Sequence, residues 1–329
     1  MKTLVTGAAG FIGSHVVRAL LAEGHDVRAM VRPGENRANI KGLDVEVVEA
    51  DILDLTAVRR AVDEVHWVFH LAAIFAIWMK DWQDIYEVNL QGSRNLLWSA
   101  MEAGCSRVVY TSSIAAVGVA PGKSFSTEET PFNQYGLGNH YVLTKYLSQQ
   151  EALGFAANGL DLVVVNPAFP FGVMDTGPTP TGKLIVDILK GKMPVSYPGG
   201  INLIDVKDIA RGHLLAAENG ERGKLYILGN ENITIDRFIR KVKKLAGVND
   251  RTLPGIPWPV MKAGASVLTL WADHISHRPP ITTPKEVAYS SQYLWCDNTR
   301  ARKELGLTFT SVDASLTESI AWFRENGYV

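Results

Sequence analysis

Tyr141 and Lys145 stand four residues apart in a segment, His140 to Ala157, that the sequence predicts as a helix. Asn139 is positioned to cap it and Gly159 lies just past its end. Four-residue spacing puts the phenol and the ammonium on one helical face. An ammonium beside a phenol favours the phenolate and lowers its pKa from ~10 toward neutrality. A shift of two to three units is about 3–4 kcal/mol of differential interaction. A phenol tuned in this way can give a proton to a carbonyl oxygen or take one from an alcohol. Upstream, Val109-Tyr110-Thr111-Ser112-Ser113 ends a strand-like run, and a hydroxyl there can hold the same substrate oxygen. A tyrosine four residues before a lysine is by itself a common helical accident, so the pair gains weight only from its surroundings.

Those surroundings include Thr6-Gly7-Ala8-Ala9-Gly10-Phe11-Ile12-Gly13, placed directly after the first strand and opening the first helix. In that context Gly7 permits the tight turn, Gly10 lets the backbone approach a pyrophosphate, and Gly13 allows close packing of helix on strand. The N–H groups of Phe11, Ile12 and Gly13, with the partial positive charge of the helix start, would meet the phosphates. No Lys-Ser/Thr pair follows, which argues against a nucleoside triphosphatase. The end of the second strand reads Arg28-Ala29-Met30-Val31-Arg32-Pro33, with Arg37 beyond and no carboxylate where a ribose diol would need one. Arg32 can pair with a 2′-phosphate in bidentate fashion, which favours NADP(H) over NAD.

Elements must hold these groups together. Lys2–Thr6, Asp26–Val31, Val45–Val48, Trp67–Leu71, Arg107–Thr111 and Leu162–Val165 read as strands, and Phe11–Glu23, Trp82–Gly104 and His140–Ala157 as helices. Apolar strands alternating with helices, without hairpin turns, indicate a parallel sheet covered on both faces. The expected fold class is therefore α/β, a Rossmann-type doubly wound sheet with a smaller, mostly helical C-terminal substrate lobe. After Pro167 the texture changes: Pro167, Pro170, Pro178, Pro180, Pro194 and Pro198 crowd residues 167–200. Strand and helix signals return over 204–228, and the chain ends in a helix, Val312–Asn326, with Ser311 as its expected cap. The expected division is a dinucleotide-binding domain of 1–167 plus 204–230 and a substrate lobe of 168–203 plus 231–329.

Bulk composition limits the partners. The 329 residues, at ~150 per domain, suit about two lobes. With 33 Lys and Arg against 34 Asp and Glu, the net charge of −1 offers no general electrostatic grip on nucleic acid or an anionic membrane. The longest nearly apolar run, Trp67 to Met79, is shorter than the ~20 residues a bilayer span requires. Cys105 and Cys296 exclude a disulfide scaffold and suit a reducing compartment. With no export signal read at the start, the expectation is a cytoplasmic protein without membrane insertion. His274 and His277 have no third ligand nearby, so no metal site is expected.

The chain resembles the extended short-chain dehydrogenase/reductases essentially end to end. The carrying motifs are the glycine loop, Asp51-Ile52, His70-Leu71-Ala72-Ala73, Asn89, Thr111-Ser112-Ser113, Tyr141 with Lys145, and Asn166-Pro167. Within that family it is similar to the dihydroflavonol-4-reductase-like group and to the hopanoid-associated sugar epimerase-like proteins, the latter through Pro178 to Gly182 and Asn202 to Val206. The resemblance implies that Ser113 polarises the substrate oxygen, Tyr141 is the acid/base, and Lys145 holds the nicotinamide ribose and tunes the tyrosine. It further implies that Asp51 and Ile52 meet the adenine, Ala72, Ala73 and Thr111 border the cofactor, and Pro167 and Ala168 face the carboxamide. Asn89 would be either a cleft residue or a structural cap. Helices from Trp82 and from His140 would pair in a homodimer.

Two departures narrow the activity. The family's dehydratases carry Asp-Glu after the fifth-strand hydroxyl, whereas Ser113 is followed by Ile114 and Ala115. Nucleotide-sugar enzymes carry an arginine near the position of Ile201, which can bind no phosphate. Apolar residues follow the fourth and sixth strands: Ile74, Phe75, Ile77 and Trp78, then Phe169 and Phe171. As a set they favour a partly hydrophobic carbonyl substrate. The expectation is an NADP(H)-dependent reductase of a ketone or aldehyde, reversible on the alcohol. The alternatives are a sugar or nucleotide-sugar epimerase with tightly held NAD(P), and a non-catalytic dinucleotide-binding redox sensor.

Overall fold

The computed structural model describes residues 1–193, 196–248 and 254–329, so Pro194 falls outside the described residues. The N-terminal part alternates β1 (Lys2–Thr6), α1 (Phe11–Ala22), β2 (Asp26–Val31), β3 (Glu46–Glu49), α2 (Leu55–Val62) and β4 (Trp67–His70). It continues with α3 (Gln83–Tyr86), α4 (Ser93–Glu102), β5 (Arg107–Thr111), α5 (His140–Ala157) and β6 (Leu162–Pro167). β7 (Phe169–Phe171), α6 (Pro180–Leu189), β8 (Gly200–Asp205), α7 (Val206–Asn219), β9 (Leu225–Leu228) and β10 (Glu231–Thr234) follow. The chain ends with α8 (Ile235–Ala246), α9 (Trp258–Trp271), α10 (Pro284–Ser290), α11 (Thr299–Glu304) and α12 (Val312–Glu325).

The main sheet has seven strands in the order β3-β2-β1-β4-β5-β6-β9. All its pairings are parallel. Side chains alternate across it, and each face carries its own core. Val5, Val109 and Val163 pack with Val16, Val17 and Leu20 of α1 and Ile209 and Leu214 of α7. Leu4, Val108 and Val164 pack instead with Val58 of α2, Leu96 and Leu97 of α4, and Ala152 of α5. The sheet order reverses direction outward from β1 and β4, and such a switch point opens a crevice at the carboxyl ends of the strands.

A three-stranded sheet, β10-β8-β7, forms the floor of a second core with Ile185 of α6, Phe238 of α8 and Leu316 and Phe323 of α12. Asp205 ends β8 and caps α7, its Oδ1 accepting the Lys207 N–H at 2.7 Å. The chain thus passes from the small sheet back to the face of the large one without a loop.

Two sequence expectations change. The helix expected over 82–104 is broken by a π-helical stretch, Glu87–Gly92, between α3 and α4. Its Gly92 crosses directly over Ile52, where a Cβ would lie 2.6 Å from Ile52 Cγ2. Ser311 occupies the start of α12, but its side chain makes no capping bond. Among the described residues, no helix is long and apolar enough to cross a membrane.

Candidate active site

The turn after β1 is built by close contacts that only glycine permits. Gly7 has φ +65, and a Cβ on it would meet the Ala72 nitrogen at 3.0 Å. A Cβ on Gly13 would stand 2.1 Å from the Gly7 carbonyl oxygen, so α1 can approach the turn only without a side chain there. The start of α1 at Gly10 has no side-chain cap and no acid in its first turn. Its Phe11, Ile12 and Gly13 amides have no intrahelical acceptor and meet no capping side chain. That arrangement fits the pyrophosphate of a dinucleotide, with charge and donors of the correct sign.

A buried polar chain locks the neighbouring strand end onto this turn. The Thr6 hydroxyl accepts from the Leu71 and Ala72 N–H groups at 3.2 and 3.1 Å and donates to His70 Nδ1 at 2.8 Å. His70 Nε2 then donates to Ser93 Oγ at 2.9 Å, and Ser93 donates to the Asn89 carbonyl at 2.8 Å. Burial, with a smaller push from Lys145, holds the His70 pKa down to about 3, so the ring stays neutral. Asn89 uses its amide on Ile74, accepting that residue's N–H at 2.7 Å and donating to its carbonyl at 3.0 Å and to Thr144 Oγ1 at 3.2 Å. Of its two expected roles the geometry shows the structural one: it ties the loop after β4 to α5. Ala72 is half-buried beside the glycine turn, and Ala73 next to it is exposed.

At the adenosine end, Arg32 is exposed and donates its backbone N–H to Glu35 Oε2 at 3.0 Å. Among the described residues no carboxylate lies within ion-pair reach of its guanidinium. Arg37 differs, being engaged with the Glu49 carboxylate across from it. Asp51 is exposed and its Oδ1 accepts the Leu53 N–H at 2.9 Å, while Ile52 is buried beneath Gly92. Sequence reasoning missed Asn39, a buried residue that donates to the Ala9 carbonyl at 3.2 Å and so braces the glycine turn from beyond β2. Nothing in its local sequence signals that contact.

Ser113, Tyr141 and Lys145 meet at the carboxyl ends of β5 and β6. Ser113 begins a short turn after β5, its Oγ accepting the Ala115 N–H at 3.1 Å. Asn166 of β6 holds that segment, donating to the Ser113 carbonyl at 2.8 Å and to Gln149 Oε1 at 2.7 Å. Asn139 caps α5 by accepting the Val142 N–H at 3.2 Å, which fixes the start of the helix bearing Tyr141. Lys145 is buried and donates from Nζ to the Thr111 carbonyl at 2.9 Å.

Burial opposes the tuning of the phenol expected from Lys145. Burial pushes the Tyr141 phenol up to about 12, a hydrogen bond with Ser113 offsets part of that, and the Glu286 carboxylate adds to it. The Lys145 ammonium does not counter the burial, because it is turned to the Thr111 carbonyl, and its own pKa is pushed down to about 8 by desolvation. The Thr111 hydroxyl also points elsewhere than expected. It donates to His213 Nε2 at 2.9 Å on α7, while His213 Nδ1 donates to the Ile209 carbonyl at 2.8 Å. Pro167 is buried at the end of β6, and the Ala168 N–H is taken by the Leu228 carbonyl at 2.9 Å.

The apolar wall is partly as read. Phe75 is 47% exposed and stands edge-on to Tyr141, with ring centroids 4.6 Å apart. Trp78 Nε1 donates to Asp273 Oδ1 at 2.9 Å, which ties the loop after β4 to the end of α9. Phe169 is half-buried and reaches the cluster of Tyr141, Tyr289 and Leu294. Phe171, however, does not line the cleft: it is fully buried among Ile185, Leu203 and Phe238. Phe169 and Phe171 share one face of β7, and the deeper of the two is sealed under α6 and α8. Ile201 is likewise buried in that second core.

The helical C-terminal part contributes residues that sequence reasoning missed. Glu286 of α10 accepts from Asn139 Nδ2 at 3.3 Å, and its carboxyl pKa is raised by burial. Beside it are Tyr197 and Tyr289, both raised by burial and by Glu286. The signal was Thr283, whose Oγ1 accepts the Glu286 N–H at 3.2 Å in a capping arrangement. In a capping box the glutamate turns back to its own helix; here it reaches across to α5. Lys285 makes the parallel contact, at 3.5 Å from His140 Nε2.

A glycine-cradled helix start at the switch point of a parallel sheet, with a serine, a tyrosine and a buried lysine two strands away, defines a dinucleotide-dependent enzyme of the oxidoreductase class. The family model described as the NAD dependent epimerase/dehydratase family matches residues 3–229. The chain is 36% identical over 335 residues to a protein of Synechocystis sp. named putative dihydroflavonol 4-reductase, covering 99% of this chain and 95% of the relative. It is also 36% identical to the sterol demethylase protein B of Methylococcus capsulatus, over the whole length of both. Among solved structures, the crystal structure of gox2253 superposes with a TM-score of 0.88 at 36% identity, covering 99% of each chain. The protein belongs to the NAD-dependent epimerase/dehydratase family and is an NAD(P)-dependent oxidoreductase of the extended short-chain dehydrogenase/reductase type.

Proposed function

We propose that the protein is an NADP(H)-dependent carbonyl reductase acting on a partly hydrophobic ketone or aldehyde, with Tyr141 as general acid. The observation that carries this reading is the half-buried Tyr141 held in hydrogen-bond contact with Ser113, its phenol pKa pushed up by burial, with apolar Ile114 and Ala115 where a dehydratase would place acids. When bound, NADPH supplies the hydride. Tyr141 donates its proton to the carbonyl oxygen, and the Ser113 hydroxyl donates a hydrogen bond to the same oxygen as negative charge builds there. Lys145 then sits one helical turn below to hold the cofactor's ribose and return a positive charge to the phenolate that forms. Gly7, Gly10 and the Phe11, Ile12 and Gly13 amides take the pyrophosphate. Asp51, Ile52, Ala72, Ala73, Pro167 and Ala168 shape the rest of the cofactor cleft.

Arg32 supports the NADP(H) assignment, since its guanidinium has no carboxylate in reach while Arg37 is paired. Phe75, Trp78 and Phe169 support an apolar substrate, as do relatives whose names include a dihydroflavonol reductase and a sterol-processing protein. A homodimer through α4 and α5 is supported by exposed Trp98 and Met101 and by the Trp98–Phe155 ring contact that joins the two helices. The test is NADPH oxidation with a panel of aryl and alicyclic ketones and aldehydes. Turnover that Tyr141→Phe abolishes supports the reading. Near wild-type turnover in that variant overturns the mechanism, and a protein that carries bound cofactor and consumes no added NADPH is an epimerase instead.

A further inference from the structure

α9 is apolar in sequence, yet Ala265 is the one buried residue among its 14. Val260, Val267, Leu268 and Trp271 recur at helical spacing along a single stripe, which Ile275 continues in the π-helical turn Ala272–Ser276. Val267 is 67% exposed, Trp271 56% and Ile275 58%. Ala265 and Ala272 lie on the other side, where the helix rests on the lobe. A helix normally turns its apolar stripe inward, and contiguous exposed apolar surface of this kind marks an interaction site.

The formal charges around it are net positive, two cations against one acid. From residue 254 to 283 the basic side chains are Lys262, His274, His277 and Arg278, and the one acid, Asp273, accepts from Trp78. Trp258 and Trp271 stand at the two ends of the helix, and Lys262 Nζ lies 5.0 Å from the Trp258 ring centroid. Apolar stripe, terminal tryptophans and basic flanks are what a helix lying in a lipid headgroup region requires. The net charge of −1 conceals this patch because it averages over the whole surface.

We propose that α9 and the turn after it form a docking face that seats on an anionic phospholipid surface. The helix lies in the interface plane with Val260, Val267, Trp271 and Ile275 entering the acyl boundary, and Lys262 and Arg278 meet lipid phosphates. The Trp78–Asp273 bond places this face beside the apolar wall of the cleft. The inference does not depend on the identity of the substrate, since docking can be measured without turnover.

The test is flotation of the full chain with vesicles of phosphatidylcholine containing phosphatidylglycerol, and with phosphatidylcholine alone. The wild-type chain floats with the anionic vesicles and is released by raised salt. The paired substitution Val267→Asp with Ile275→Asp lowers vesicle affinity by about tenfold or more. Lys262→Glu with Arg278→Glu lowers it by at least about fivefold for each cation removed. Both variants keep wild-type NADPH binding, which shows that they fold. Absence of flotation on anionic vesicles overturns the proposal, and so does flotation that both variants retain. A concentration-dependent oligomer that the aspartate pair disrupts, with no flotation, overturns it by assigning the face to a second copy of the chain.

Discussion

The Lys145 ammonium donates to the Thr111 carbonyl at 2.9 Å, one helical turn from the Tyr141 phenol whose pKa burial raises. Burial pushes the phenol up to about 12 and the lysine one turn away down to about 8. A reductase needs a proton donor in this state, and a lysine that can be recruited when a phenolate forms.

The pH dependence of reduction follows from these two directions. The Lys145 pKa is lowered, so its charge is present below about 8 and is lost as pH rises through that value. Tyr141 stays protonated across the same range. The rate of reduction should hold from neutral pH and fall with a single alkaline limb near 8. Lys145→Met should abolish that limb and lower kcat by about 100-fold or more. A limb that persists in the variant would assign it to another group.

Glu286 should set the tyrosine from the other lobe. Its negative charge raises the Tyr141 pKa, so Glu286→Gln should lower that pKa. An ultraviolet tyrosine titration of the variant, taken as a difference against Glu286→Gln with Tyr141→Phe, reads the shift directly. An unchanged titration would show that the carboxylate does not act on the phenol.

Two glycine substitutions should separate close approach from backbone strain. Gly13→Ala places a methyl 2.1 Å from the Gly7 carbonyl oxygen and should abolish NADPH binding. Gly24 has φ +75 but nothing within 4 Å of a Cβ. Gly24→Ala should cost about 1 kcal/mol of stability by thermal or urea unfolding and leave cofactor affinity unchanged. Equal effects of the two on binding would contradict the assigned role of Gly13.

Arg32 should discriminate between the cofactors. A charge-assisted bidentate pair to a 2′-phosphate contributes about 1.5–3 kcal/mol. Arg32→Ala should therefore raise the NADPH dissociation constant by roughly 10- to 100-fold and leave that of NADH nearly unchanged. Fluorescence titration with the two cofactors gives the ratio. A parallel loss for both would remove Arg32 from the phosphate site.

The two aromatic positions should part in opposite ways. Phe171→Ala opens a cavity in the second core and should cost about 3–5 kcal/mol of stability. Phe75→Ala removes an exposed ring beside Tyr141 and should raise KM for an apolar ketone with little change in melting temperature. A KM effect from Phe171→Ala without destabilisation would restore it to the cleft wall.

Local pattern carried most of the fold because each parallel strand is a short apolar run that ends at the same sheet edge. The glycine loop was legible for a related reason: spacing within eight residues is enough to specify a turn, a cradle and a helix start. The π-helical stretch 87–92 was not, because helical periodicity over 82–104 does not register one widened turn forced by the crossing of Gly92 over Ile52. Phe169 and Phe171 read identically in sequence, and only the lid of α6 and α8 over β7 separates them. Glu286 was not legible at all: it follows Thr283 at capping-box spacing, yet its carboxylate reaches Asn139, 147 residues away.

The sequence by itself determined the parallel sheet and the glycine turn after β1 and singled out Ser113, Tyr141 and Lys145 as the proposed reacting set, since these depend on residue type and short-range spacing. The tertiary structure decided their electrostatic state. Whether Lys145 faces the phenol or the Thr111 carbonyl, and whether Tyr141 is acid or phenolate, depends on burial and on charges brought in from distant segments. Those are properties of the folded interior, where desolvation outweighs the neighbour four residues away.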